Sequence, residues 1–250
     1  MMNNKIKSIS PDPVTNAVVE LRFESEFPKV AIYGLLYSEL KDDFAQQSSL
    51  PIMQLPEEIR LKDPSLKFKP WYQLSGNKIL LQIGPDVIAI NCDCSSGYMG
   101  WGNFYPLIKK VNQSVISTDV IKAITRIGIR FVSFFENINI FDQIKLKISY
   151  EGAKLTDNFT TFTTYIQEQN FTQRLVLNNR IINKYPLSKN VEKSGSIVDI
   201  DTFTSERMTN FNNLEKLIDR GHSLEKALFF SLLEKQFLDS LHPCYEKDGE

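Results

Sequence analysis

Soft metal ligands are scarce in this chain, with three cysteines and two histidines among 250 residues. Cys92, Cys94 and Cys244 form no Cys-x-x-Cys pair, and only His222 and His242 are available to complete a site with them. Free reduced thiols are therefore expected, with neither metal nor cofactor. No stretch approaches 18 uninterrupted apolar residues, and the opening "MMNNKIKSISPDP" lacks the apolar centre of a signal peptide. The expected location is cytoplasmic, away from membrane. An excess of one charge is also missing: 29 basic side chains face 30 acidic ones, for a net charge of -1. Nucleic-acid binding loses its usual global electrostatic support, so only a local patch remains to carry it. The chain contains no P-loop, dinucleotide-binding glycine pattern, nucleophile elbow or zincin motif. At this length roughly three quarters of the surface is buried on folding, so the core needs no disulfide.

What is present is alternation. In "VTNAVVELRF" (14–23), Ala17, Val19, Leu21 and Phe23 share one strand face and Asn16, Glu20 and Arg22 the other. Pro28 opens a helix bearing Tyr33, Leu36, Tyr37, Leu40 and Phe44. A proline-rich irregular connection precedes three short strands, "FKPWYQLS", "KILLQIG" and "VIAINCD", divided by turn formers. Asn103 is placed to cap a helix through Val111. Strands follow at "KAITRIGIRFVSFF", "QIKLKISYEG", "TTFTTYIQEQ", "TQRLVLNNRI" and "SIVDIDTFTS", then a long helical finish. Gly221-His222-Ser223 is expected to split that finish, with Ser223 capping a second helix, and one kinked helix is the alternative. The reading is an α+β fold of mainly antiparallel sheet in two intimately packed halves, 1–117 and 118–250. Helices lie on one face, and a single continuous sheet is the competing arrangement.

The candidate functional residues centre on the strand 122–135. Arg126 and Arg130 lie on one face, about 13 Å apart at about 3.3 Å per residue, with Gly128 between them. Such a pair can grip phosphate, carboxylate or an acidic loop. It can equally be consumed by Glu20, Asp199 and Asp201 of neighbouring strands. Trp101, within "YMGWGNFYP", offers either a stacking surface or a core anchor. Gln82 points to the polar side of its strand with Lys78 and Leu80, as a candidate member of an interstrand polar network, and Arg22 is a further ligand or partner candidate. His222 is the single well-placed candidate base, although no nucleophile accompanies it. Arg174, Arg180, Lys184 and Lys189 form the best local basic patch, without interleaved aromatics.

Three segments resemble a sporadically distributed, poorly characterised family of prokaryotic proteins of about 250 residues. They are "PDPVTNAVVELRF", the central "RIGIRFVS" in which Phe131 and Ser133 replace the family's tyrosine and asparagine, and His222 followed seven residues later by Phe229. The resemblance covers nearly the whole chain. It implies one family unit, draws attention to Glu20, Arg126, Arg130 and His222, and suggests a prokaryotic defence or toxin-control complex. The leading functional expectation is a noncatalytic binding or adaptor protein with a protein partner or self-association. The alternatives are an enzyme acting on a phosphorylated small molecule or nucleic acid, using Arg126, Arg130, Glu20 and His222, and a nucleic-acid-binding protein using the basic patch.

Overall fold

The computed structural model describes residues 6–184 and 192–245. In chain order the elements are β1 (Ile6–Ser8), β2 (Val14–Glu24), α1 (Lys29–Leu40), β3 (Gln46–Ser49), α2 (Glu57–Lys62), β4 (Tyr72–Gly76), β5 (Ile79–Gly84), β6 (Val87–Cys92) and α3 (Trp101–Ser117). After them come β7 (Ala123–Glu136), α4 (Ile140–Gln143), β8 (Ser149–Tyr150), β9 (Ala153–Lys154), β10 (Thr161–Glu168), β11 (Phe171–Lys184), β12 (Glu192–Thr204), α5 (Leu214–Leu232), α6 (Lys235–Ser240) and β13 (Cys244–Tyr245).

Nine strands form one antiparallel sheet in the order β10-β11-β12-β7-β2-β6-β5-β4-β3. The segments before and after Ser117 meet in it along β2 and β7, whose register runs from Val14↔Ser133 to Glu24↔Ala123. The sheet is thus continuous across the expected boundary, which the sequence reading left open. Alternation makes one face apolar: Ala17, Val19, Leu21 and Phe23 of β2 are all 2% exposed or less. The long helices pack there. One core cluster joins α1, α3 and the start of α5 to β2 and β4–β7. A second joins α4, the end of α5 and α6 to β11 and β12. At about 28 Å long, α5 crosses both clusters and ties them into one layer.

Three local expectations are corrected. Gly221 does not break the C-terminal helix. It lies buried inside the continuous α5, where an added Cβ would stand 2.5 Å from Ile129 Cδ1, so its missing side chain lets the helix approach β7 closely. Helix α3 begins at Trp101 with Gly100 as cap, at φ 81°, where glycine is favoured; Asn103 instead donates to the Met99 carbonyl at 2.8 Å. The expected strand "QIKLKISYEG" supplies only the two-residue β8. Ile144 bridges to Leu233 and the Lys145 N–H donates to the Leu232 carbonyl, so this segment caps the end of α5 instead of extending the sheet.

Candidate functional site

The sheet face opposite the long helices carries the arginines, and they are engaged. Arg126 donates from Nη1 to Glu20 at 2.8 Å and from Nη2 to Asp201 at 2.7 Å. Arg130 makes a two-pronged pair with Asp199, at 2.8 and 2.7 Å. That pairing raises the Arg130 guanidinium above its ordinary value. The register explains the reach: Asp201 lies opposite Arg130 and Glu20 opposite Gly128, so Arg126 must lean along the strand towards both. A Cβ at Gly128 would overlap the Arg126 guanidinium. The gap at Gly128 is therefore filled by the neighbouring arginine. Below Arg126 lies the Phe203 ring, 4.5 Å from the guanidinium carbon. Arg22 joins the array through Glu20 at 2.8 Å and rests over Phe68, and Gln82 donates to Gln73 across the strands at 3.0 Å. Arg174 lies 3.9 Å from Asp199.

The basic patch does not assemble from its described members. Arg174 belongs to the ion-pair array, whereas Arg180, at a register shift in β11 with φ 52°, donates to the Asp157 carbonyl. Lys184 ends β11, and Lys189 lies outside the described residues.

His222 is on the other side of the sheet, so it does not share a cleft with Arg126 and Arg130. It projects from α5 and stacks on Trp101, with ring centroids 3.9 Å apart and planes 4° apart. The other partner of Trp101 is Tyr105, at 5.1 Å, and its indole N–H donates to Asp219 at 3.0 Å. Trp101 is therefore an anchor between α3 and α5, the second of the two roles open to it. Phe131 of β7 abuts both rings.

Beside this stack is a cavity of about 130 Å³, walled by Phe131 and Ser133 of β7, His222, Glu225 and Phe229 of α5, and Tyr98 ahead of α3. Residues 7–9 and 12–14 close another side, and Lys226 and Phe230 complete the α5 wall. Its polar groups are far from their ordinary states. Burial, with the Lys226 charge adding to it, drives His222 down to about 3. Burial pushes Glu225 up to about 8, against the Lys226 charge. The Tyr98 hydroxyl is held well above its usual value by burial first and then by nearby acidic groups, and it has no hydrogen-bond partner. Asp12 is also raised by burial, although its Oδ1 accepts the Val14 N–H at 2.9 Å. Near neutral pH the site thus presents a neutral imidazole and a protonated carboxyl. Among the residues now seen to build it, Glu225 and Asp12 were not singled out from sequence, whereas Tyr98 lies in the aromatic segment "YMGWGNFYP" that was. A signal existed for Glu225: it falls on the buried stripe of α5, four residues after Gly221 and four before Phe229.

Cys92 is lowered to about 7, first by the neighbouring Cys94 thiol, despite its burial. All three cysteines are free thiols. Among the described residues no group of three or more His, Cys, Asp or Glu side chains is placed to hold a metal ion. No helix among them is long and apolar enough to cross a membrane. Comparison of the chain with protein-family models finds no match, and comparison with curated proteins finds none either.

Proposed function

We propose that the protein is a noncatalytic binding or adaptor protein that takes a protein partner along the free edge of β10. The observation that carries this reading is the edge itself. β10 ends the nine-stranded sheet, and its eight residues pair with β11 in unbroken register from Thr161↔Asn178 to Glu168↔Phe171. In an antiparallel ladder about half of them turn their backbone N–H and C=O groups outward. Edges of this length are ordinarily guarded by lysine, proline or a bulge. "TFTTYIQE" contains no lysine, arginine or proline, and its one acid is the last residue. Phe159 and Tyr165, 66% and 62% exposed, add apolar area beside it. Strand addition to such an edge is a general mode of peptide recognition. The opposite edge, β3, is only four residues long and is followed after Leu50 by Pro51.

The placement of the other candidates favours binding over the enzymatic alternative. Arg126 and Arg130 spend their directed donors on internal carboxylates, and His222, at about 3, is a weak base near neutrality. The resemblance noted above would place the partner in a prokaryotic defence or toxin-control complex. The test is purification of the tagged chain from its native host, with partners identified by mass spectrometry, beside a Thr163→Lys/Tyr165→Lys double variant. Both side chains are exposed, so the variant keeps its fold. A partner or second copy held by the wild type and released by the variant is expected. Recovery of a lone monomer, or a partner held equally by both, would refute the interface.

A further inference from the structure

The cavity between β7 and α5 is distinct from the β10 edge and does not depend on it. Glu225, Tyr98, Asp12 and His222 are all among its lining residues. Glu225 is 6% exposed, and burial acts on its carboxyl with only the Lys226 charge opposing. Tyr98 lines the same space, and its closed-off hydroxyl has no partner. Unsatisfied polar groups at this depth are costly, so a fold retains them where something else completes them. The walls include the rings of Phe131, Phe229 and Phe230, with Trp101 stacked against His222 and Tyr105.

Size, charge and hydrogen-bond pattern narrow the ligand. A cavity of about 150 Å³ holds one benzene ring, and this one is about 130 Å³ and open on one side. A protonated carboxyl offers an O–H donor beside a C=O acceptor, the mirror of a cyclic amide edge, which offers an N–H beside a C=O. The geometry points to this cavity as a binding site for a small uncharged heterocycle, one ring in size, with a pyrimidine-like edge of adjacent N–H and C=O groups. Glu225 pairs with that edge, and the phenylalanines hold the ring. The titratable and charged groups facing Glu225 are Lys7 of β1, Asp12 ahead of β2, Tyr98 ahead of α3, and His222 and Lys226 of its own helix.

The charge state of Glu225 makes the proposal testable. Uracil, titrated into the full chain and followed by NMR shifts and calorimetry, should bind saturably at about pH 6. Binding should weaken about tenfold at about pH 9, where roughly one Glu225 in ten keeps its proton. Glu225→Gln keeps a neutral donor beside an acceptor, so it should bind at both pH values, and it controls for titration of the probe itself. 1,3-Dimethyluracil, which has the ring without the N–H, should bind at least about tenfold more weakly. Uridine in place of uracil tells whether the ring arrives free or carried on a sugar. Three results would overturn the inference: no saturable binding of uracil at millimolar concentration; equal binding of the dimethylated ring; or benzylammonium binding that tightens with rising pH and disappears in Glu225→Gln, which marks a cation site.

Discussion

Replacing Glu225 by glutamine should stabilise the protein, and by more as the pH rises. In the unfolded chain the carboxyl ionises around its ordinary 4.5, and in the fold only around 8. Below pH 4.5 the group is protonated in both states and has no effect. From there to about pH 8 the unfolded state gives up its proton while the folded state keeps it, so stability falls with pH. At about 1.36 kcal/mol per pH unit, the loss is about 3 kcal/mol at pH 7 and about 5 kcal/mol above pH 8. Glutamine has no proton to lose and keeps the shape, so the variant should gain those amounts over the wild type. His222 acts in the opposite sense. Its depressed value, about 3 against 6.5, adds stability as pH rises from 3 to 6.5. The two contributions cancel between about 4.5 and 6.5; above that window Glu225 tilts the wild-type profile downward, opposed from about pH 7 by Cys92, and the Cys92 contribution is common to both proteins. Urea unfolding of both proteins at closely spaced pH from 4 to 9, with unchanged m-values, reads the difference directly. Parallel profiles, or a variant less stable than the wild type at pH 8, would refute the burial argument for Glu225.

Arg126→Met should cost about 3–5 kcal/mol in denaturant unfolding, because it strands Asp201 and leaves Glu20 to Arg22 alone, at a side chain that was 12% exposed. Arg130→Met, at a side chain 47% exposed, should cost clearly less, and an equal cost would contradict the ranking. Gly221→Ala should destabilise by about 1–3 kcal/mol through overlap with Ile129 Cδ1. Ile129→Val removes that atom, so the double variant should recover part of the loss, and strict additivity would mean that the close approach is not the cause. In a Trp71→Phe background, Trp101 fluorescence should be flat from pH 5 to 8, because the stacked His222 stays neutral there. A quenching step near 6.5 would place the histidine in water.

The strands and their faces were legible because period-two alternation is a local property. Val14–Phe23 and Lys122–Phe135 showed their core sides without any knowledge of neighbours, and so did the candidate partners of Arg126 and Arg130. Glycine was the harder residue to read. Gly221 looked like a helix break, whereas the cause of its small size is Ile129, 92 positions earlier in the chain. Gly128 looked like room for a ligand, and its own neighbour Arg126 fills the space.

The sequence by itself therefore determined the α+β class, the antiparallel strands, the apolar face that helices must cover and the charged face opposite. Only the tertiary structure decided that one sheet spans the chain through β2 and β7, that the arginines are satisfied, and that β10 is left as an edge. It alone brought Asp12, Tyr98, His222 and Glu225 around one cavity. Alternation and helical period encode which way a side chain points. The desolvation that keeps Glu225 protonated and His222 neutral depends on what other parts of the chain place above them.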